Sequence, residues 1–490
     1  MSHPLFPFFL ALASAAAAFL PISSAARRRN FLFGALLSCT AAAFVAVPVL
    51  LSGTPSAWGP VRVDRFASYM ISLVAIVAAL ASLAATHYLA HGQKKGTITP
   101  ANEKTFILFF MLFVLSMWTA VAADNLALLW IALESTTLTT TLLVAFDRSR
   151  GAVEAAWKYI VICSTGITLG LLGVLMLIHS AVGANLGAGA LTLSSLSAYA
   201  GSLSLDTLRW AFVFLFIGVG TKVGFVPMHT WLPDAHSKTP SPISAMLSGI
   251  LLNVAFAVLL RAKLIVDAAS GSSGWTDTFF LTFGTLSVAL PSFIMLVQKN
   301  YKRMLAYSSV EHMGLMAFAV GLGPLGTFAA MMHMAGHALA KPALFVGAGE
   351  MLHEYGSTRI ADVRGVVERR PKTGVLFFIG LLALLAAPPS ALFMSEYIMT
   401  SYGLTRQPLL TVIILALLVM IGFGMMRSAI EMLFSSETAE PRTHATGSER
   451  WNLANVAMLI GIILCFALGF ALLNAPGRDF FMTLSRNLTR

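Results

Sequence analysis

The sequence predicts an all-α polytopic membrane protein with about 14 transmembrane helices. The chain of 490 residues is 57% hydrophobic and only 11% charged, a balance that would leave a water-soluble protein without a wettable surface. Its apolar residues come in runs of about 20, the length a helix needs to cross roughly 30 Å of hydrocarbon. These runs are too long, and alternate too little, for the strands of a membrane β-barrel.

Each predicted helix is one such apolar run. The first resembles a secretory signal, but the basic cluster of Arg27, Arg28 and Arg29 follows the run instead of preceding it, so we expect a retained helix. The predicted spans are residues 4–23, 30–52, 66–90, 104–123, 125–146, 153–180, 208–228, 241–265, 276–297, 302–322, 325–353, 374–403, 408–433 and 451–474.

Two of the spans are interrupted by glycine and proline. They read GVGTKVGFVPMHTWLPDAHSKTPSP and LLAAPPSALFMSEY. Proline removes a backbone hydrogen bond and breaks a helix, which at membrane depth is tolerated only where the segment is buried or lines a cavity. Interruptions at corresponding positions indicate an inverted-repeat fold. The predicted divisions are residues 1–103 with helices 1–3, repeats of five helices at 104–265 and 276–433, and a final helix with a short tail at 451–490.

The loop charges predict the orientation. When the loop at residues 27–29 is placed inside, the inside loops carry 19 lysines and arginines and the outside segments carry 8. The positive-inside rule then puts both termini on the outer side. The net charge of +11 reflects this bias, so we expect contact with lipid and none with nucleic acid.

A small number of ionisable residues fall inside the spans. A charge at the bilayer centre costs at least ~3 kcal/mol and by default marks a functional site. Burial favours the neutral form of a lysine or a glutamate, whereas a neighbouring opposite charge favours the charged form. Such groups can therefore exchange protons when a partner's charge changes. The candidate proton-transfer residues are Glu134, Lys222, His333, His337, Lys341 and Glu396.

Three of these candidates form one stripe. His333, His337 and Lys341 are spaced four residues apart, so they share a helix face and are offset by about 6 Å each along the axis. With water between them, such a stripe predicts a proton wire across about 12 Å of depth.

Metal binding is the alternative interpretation of the stripe. The pair in HMAGH has zinc-ligand spacing, but it lacks the glutamate of the metalloprotease motif, and no third ligand is evident. The three cysteines, Cys39, Cys163 and Cys465, show no cluster spacing, and iron–sulfur clusters need sets of cysteine thiolates. We therefore expect no cofactor or metal in this chain.

Four further polar residues form a second tier of candidates. Lys158 lies near the inner end of its span, where a lysine can equally snorkel to the membrane surface. The second tier comprises Lys158, His229, Asn253 and His312.

Five stretches resemble one family. WIALE, GTKVGFVPMHTWLPDAHSKTPSPISAMLSG, YKRMLAYSSVEHMG, HMAGHALAKPALF and FMSEY resemble, in order and spacing, the antiporter-like proton-pumping subunits. These occur in respiratory complex I, membrane-bound nickel–iron hydrogenases and multisubunit sodium/proton antiporters. The resemblance covers roughly residues 60–435, and its wording is most similar to component F of hydrogenase-4 and formate hydrogenlyase-type complexes.

The resemblance implies a role for each candidate. Glu134 and Lys222 match the family's first proton-transfer pair, and Glu396 matches its terminal site. The stripe from His333 to Lys341 matches its central relay. Asn253 stands where some relatives carry a lysine, and PPSAL departs from the family's usual proline-proline-phenylalanine-glycine.

The resemblance also implies partners. It suggests a non-catalytic subunit of an oxidoreductase complex in a bacterial inner membrane, beside other membrane subunits. A soluble hydrogenase arm would carry the nickel–iron centre and the iron–sulfur clusters. The alternatives are a subunit of a multisubunit cation/proton antiporter or of a complex I-like quinone oxidoreductase. A membrane anchor that has lost pumping fits the retained titratable residues less well.

Overall fold

The structure, a computed structural model, describes residues 6–435 and 449–486. Two of the counted basic residues, Arg442 in a predicted inside loop and Arg490 in the predicted outside tail, lie outside these described residues. Within the described ranges the chain forms α-helices with one small hairpin, which confirms the all-α polytopic fold.

The helices are numbered in chain order. They are α1 Phe6–Ala17, α2 Ser24–Ser52, α3 Arg65–Lys94, α4 Pro100–Ala122, α5 Leu126–Val144, α6 Arg150–Gly183, α7 Leu193–Ala198, α8 Leu205–Val223, α9 Trp231–Lys238, α10 Ser241–Met246, α11 Leu252–Ser270, α12 Gly274–Val297, α13 Tyr301–Gly321, α14 Pro324–Tyr355, α15 Val366–Arg369, α16 Pro371–Leu384, α17 Ala391–Arg406, α18 Pro408–Phe434, α19 Leu453–Leu473 and α20 Ala475–Arg486.

Each predicted span contains one helix or two half-helices. In the part of the chain that the structure describes, nine helices are long and apolar enough to cross a membrane on their own. A π-helical turn at Leu247–Leu251 joins α10 to α11, so Ser241–Ser270 runs as one span. The sequence did not predict the hairpin of β1 (Ser56–Trp58) and β2 (Val61–Val63) or the short helices α7, α15 and α20.

Both predicted interruptions are present. The first separates α8 from α9, where Gly224 has a φ of 85° that ends α8 in the left-handed conformation favoured by glycine. The second separates α16 from α17. Each interruption contains one cis X–Pro bond, at Val226–Pro227 and Pro388–Pro389. The broken helices fall in the fourth span of each predicted five-helix repeat. The division into two such repeats, the second inverted because five is an odd number of crossings, stays a prediction.

The predicted inside loops meet at one end of the bundle. The Lys95 ammonium donates to the His353 carbonyl at 3.4 Å, and Arg370 forms an ion pair with Glu354 at 2.8 Å. We call this the basic end. At the opposite end, Arg261 pairs with Asp64 at 3.0 Å. The loops thus segregate as the alternating spans require, and the side on which each end lies stays a prediction.

Helices α6 and α8 pack closely through glycine. A Cβ atom at Gly218 would lie 2.4 Å from the backbone nitrogen of Gly170 and 2.6 Å from the carbonyl oxygen of Gly166. Small residues allow such close backbone approach between membrane helices. This contact fixes α8 one turn before Lys222, and so sets how deeply that lysine reaches into the bundle.

Candidate proton-transfer site

A threonine hydroxyl joins the first two candidates. Lys222 of α8 is fully buried, and its ammonium donates to the Thr137 hydroxyl at 2.5 Å. Thr137 in turn donates to a carboxylate oxygen of Glu134 at 3.5 Å. Among the described contacts Glu134 and Lys222 form no direct ion pair within 4.0 Å. The predicted pair is therefore connected through Thr137, which lies one turn after Glu134 on α5.

Two further hydroxyls hold this pair in place. Ser164 of α6 donates to Glu134 at 2.6 Å, which orients the half-buried carboxylate. The Tyr159 hydroxyl accepts from the Lys222 ammonium at 3.4 Å, and its ring lies 5.6 Å from that nitrogen. A lysine in such a position can hold its proton while Glu134 is charged. Its charged form loses support when that carboxylate is neutralised or moves away.

The second group of candidates meets between α13, α14 and α17. His333 lies 2.9 Å from His312, measured from Nε2 to Nδ1, and its own Nδ1 lies 3.0 Å from the Ser395 hydroxyl. Because that hydroxyl donates to the Leu392 carbonyl at 2.8 Å, it accepts from Nδ1–H of His333. Neutral His333 therefore accepts at Nε2 from Nδ1–H of His312.

Two carboxylates flank the histidine pair. A carboxylate oxygen of Glu311 lies 3.5 Å from Nε2 of His312. Glu396 is half-buried, and one of its carboxylate oxygens lies within 4.8 Å of a ring nitrogen of each histidine. The structure thus brings His312, which the sequence put in the second tier, to the centre of the group, and it places Glu396 at the edge.

The rest of the stripe continues toward the basic end. His337 is fully buried and its ring centroid lies 5.3 Å from that of His312. Neither of its ring nitrogens has a hydrogen-bond partner among the described residues. The Lys341 ammonium donates to the Leu305 carbonyl at 2.8 Å and to the Ser308 hydroxyl. The stripe is therefore continuous in depth, with His337 as the member free to bond a water.

The three remaining second-tier residues lie in different parts of the molecule. Asn253 donates to the Met334 carbonyl at 3.4 Å, which ties α11 to α14 beside His333. His229 lies in the first interruption and is 6% exposed. Lys158 is about half exposed and pairs with Glu154 at 2.8 Å and Asp234 at 3.2 Å. That lysine lies in a surface ion-pair network, away from the buried chain of contacts.

The sequence interpretation missed several residues that complete the site. His236 of α9 is fully buried and stacks on Phe345, with 4.8 Å between the ring centroids. Phe345 lies on α14 one turn after Lys341. The signal was present, because this histidine lies in the same broken-helix motif as Lys222. The hydroxyls of Thr137 and Ser395 gave no signal, since serine and threonine on a helix also bond to their own backbone, and the sequence did not single out Tyr159 among the aromatic residues of the spans.

A cavity lies at each end of the bundle. At the basic end, a cavity of about 270 Å³ is lined by residues that include Asp147, Lys302 and His353. At the opposite end, one of about 350 Å³ is lined by residues that include Lys263, Val320 and Thr327. Val320 and Thr327 belong to α13 and α14, the helices that carry the histidine pair. The site therefore lies between two polar openings.

Comparison with known proteins gives consistent matches. The family model described as "NADH:quinone oxidoreductase/Mrp antiporter, TM" matches residues 123–424. The chain is 35% identical over 352 residues to a hydrogenase-4 component F homolog of Methylacidiphilum infernorum, covering 71% of this chain and 73% of that one. It is 28% identical over 484 residues to NADH-quinone oxidoreductase subunit N of Desulforudis audaxviator, covering 95% and 93%.

A solved structure shares the fold over nearly the whole chain. It is a subunit in the structure of the membrane-bound sulfane sulfur reductase, an archaeal respiratory membrane complex. The TM-score is 0.86 at 22% identity, and the alignment covers 99% of this chain and 97% of that one.

Proposed function

This chain belongs to the NADH:quinone oxidoreductase/Mrp antiporter transmembrane family, and from that membership we propose that it translocates protons for a membrane-bound nickel–iron hydrogenase. At the level of the family it is an antiporter-like, proton-pumping membrane subunit. The proposed path runs through the candidate residues of α5, α8, α14 and α17. It begins at Glu134 and Lys222, continues along the stripe from Lys341 to His333, and ends at Glu396, which lies beside the histidine pair.

One observation carries the proposal, namely the link from Lys222 through Thr137 to Glu134. A fully buried ammonium needs a stabilising partner, because desolvation favours its neutral form. Here the nearest partner is a hydroxyl, and the carboxylate lies one step beyond it. A change in the charge or position of Glu134 therefore alters how firmly Lys222 holds its proton. This is the switch that a pump requires.

The finer assignment rests on the comparisons. The sequence identity to a hydrogenase-4 component F homolog is 35%, against 28% for the quinone oxidoreductase subunit. This difference supports a complex of the hydrogenase-4 or formate hydrogenlyase type. In that complex a soluble arm would hold the nickel–iron centre and the iron–sulfur clusters, and other membrane subunits would flank this chain. We place it in a bacterial inner membrane with both termini outside.

A second candidate is a subunit of a complex I-like quinone oxidoreductase or of a multisubunit cation/proton antiporter. It is favoured by the alignment to subunit N, which spans 95% of this chain. Purification of the complex through a tag on this chain, with identification of its partners, separates the candidates. Hydrogenase subunits would support the first proposal, and quinone-reductase or small antiporter subunits the second.

The direct test is Lys222→Ala in the intact complex. The variant removes the switch and leaves a partner's redox site untouched. We therefore expect normal assembly, retained turnover with an artificial electron acceptor, and loss of proton translocation. The measurement is pH-gradient formation per turnover in proteoliposomes. Normal pumping by a verified Lys222→Ala complex would contradict the proposed path.

Three related variants and one control variant sharpen this test. Glu134→Gln should also abolish pumping, and the double variant should be little worse than either single one, because residues that act as a unit are non-additive. Lys222→Arg should rescue poorly, since a guanidinium does not release its proton in proteins. Lys158→Ala serves as the control, because that lysine lies in surface ion pairs, and it should pump normally.

A further inference from the structure

Three side chains from three helices converge at the centre of the bundle. His312 of α13, His333 of α14 and Glu396 of α17 each bring one nitrogen or oxygen to within 4.8 Å of the other two. Both histidines are buried, at 2% and 0% exposure, whereas Glu396 is half-buried and leaves one flank open. Two imidazoles and one carboxylate are a ligand set that zinc sites use, with a fourth position left to water.

The spacing is close to that of a metal site. Zinc binds nitrogen and oxygen ligands at about 2.0–2.2 Å in a tetrahedron, which separates ligand atoms by about 3.3 Å. The two facing nitrogens of His312 and His333 are already 2.9 Å apart. The Glu396 oxygen lies within 4.8 Å of a nitrogen of each histidine, so it has to approach them by about 1.5 Å to reach the spacing of a tetrahedral site. Its side chain has the rotatable bonds to do so. The proton that now joins the two rings would move to Nε2 of His312, and the cation would take its place.

The outer nitrogen of each ring faces an oxygen. Nδ1 of His333 bonds to the Ser395 hydroxyl at 3.0 Å, and Nε2 of His312 faces a Glu311 carboxylate oxygen at 3.5 Å. Histidines that ligate metals almost always donate their second ring nitrogen to such a partner, which fixes the tautomer and the ring orientation. Here Ser395 already bonds to Nδ1 of His333 and the Glu311 carboxylate lies near Nε2 of His312, so Nε2 of His333 and Nδ1 of His312, which face each other, are the nitrogens available to a cation.

The charges also suit a dication. Glu396 as a ligand and Glu311 as an outer partner supply two carboxylates beside two neutral rings. A doubly charged ion can therefore be neutralised locally, which a buried charge requires. Imidazole nitrogen favours zinc over magnesium or calcium, which prefer oxygen ligands.

We propose that His312, His333 and Glu396 form a binding site for a divalent cation of the zinc class. This site differs from the His333–His337 pair that the sequence spacing suggests, because His337 is not part of the triad. If the chain functions as proposed above, the bound ion takes over atoms of the proton path, and zinc reversibly blocks proton translocation.

Binding can be measured on the full chain in detergent after removal of metals with a chelator. We expect one equivalent of Zn²⁺ by calorimetry, and one equivalent of Co²⁺ with the visible absorption of a four-coordinate site. His312→Gln, His333→Gln and Glu396→Gln should each weaken binding at least tenfold. Ser395→Ala keeps all three ligands and should weaken it by about 10- to 100-fold through loss of the outer partner.

His337→Gln is the matched control, on the same helix face four residues away, and it should bind zinc as the native chain does. The proposal is overturned if the native chain binds no zinc. It is also overturned if the loss follows His337, or the cluster of His87, His91 and His353 at the basic end, instead of the triad. Lys222→Ala should bind zinc normally, so a failure of the proton-transfer proposal would leave this result unchanged.

Discussion

At the scale of single residues, the decisive group is the Thr137 hydroxyl. It accepts from the Lys222 ammonium and donates to the Glu134 carboxylate, so it carries the coupling between two titratable groups. A hydrogen bond to a charged group contributes about 1.5–3 kcal/mol. Its removal should therefore change the protonation of Lys222 without changing the shape of the site.

Thr137→Val tests this role. Valine keeps the volume and removes the hydroxyl, so we expect proton translocation per turnover to fall about 10-fold or more, whereas Thr137→Ser should pump nearly normally. The matched control is Thr136→Val, because among the described residues that hydroxyl bonds only to the Leu133 carbonyl of its own helix. Equal pumping by the Thr136 and Thr137 variants in proteoliposomes would remove Thr137 from the path.

At the scale of the helices, glycine packing positions the site. The contact between α6 and α8 lets the Gly218 backbone approach Gly166 and Gly170, and Lys222 follows one turn later. A wider separation of these helices would move the lysine away from both Thr137 and Tyr159. Stability and function thus depend on the same contact.

Gly218→Ala should therefore reduce both the stability of the protein and its proton translocation. The added methyl group meets backbone atoms, which cannot yield as a side chain does, so we expect a loss of about 1–3 kcal/mol. The readouts are the temperature of inactivation of the complex in detergent and its proton translocation. Gly422→Ala on α18 is the control, since a Cβ atom there meets no atom of the described part of the chain within 4 Å. A Gly218 variant as stable as the Gly422 variant would contradict this interpretation of the packing.

At the scale of the whole molecule, the two ends of the bundle carry different charges. The sequence places 19 lysines and arginines in the predicted inside loops and 8 outside, and the contacts at the basic end show that described parts of those loops meet there. By the positive-inside rule this end should face the cytoplasm.

Cysteine labelling tests the orientation, because Cys39, Cys163 and Cys465 are all buried. Ser202→Cys, exposed at the opposite end, should react with an impermeant maleimide in intact cells. Thr97→Cys, exposed at the basic end, should react only after the cells are opened. A reporter fused after Arg490 should be active on the outer face. The reverse labelling pattern would mean that both termini lie inside.

The sequence by itself determined the elements of this protein. Runs of apolar residues and the two Gly/Pro interruptions are local properties, and they predicted the spans and both broken helices. Spacing along one helix likewise placed His333, His337 and Lys341 on a single face.

Only the tertiary structure decided which helices meet. It joined His312 to His333 and placed Thr137 between Glu134 and Lys222. It also brought Glu396 to the histidine pair. These contacts join residues of separate helices, and helix packing angle and rotation fix them. No local sequence pattern predicts those quantities, because a serine or threonine on a membrane helix has the same sequence context whether its hydroxyl bonds to a lysine or to its own backbone.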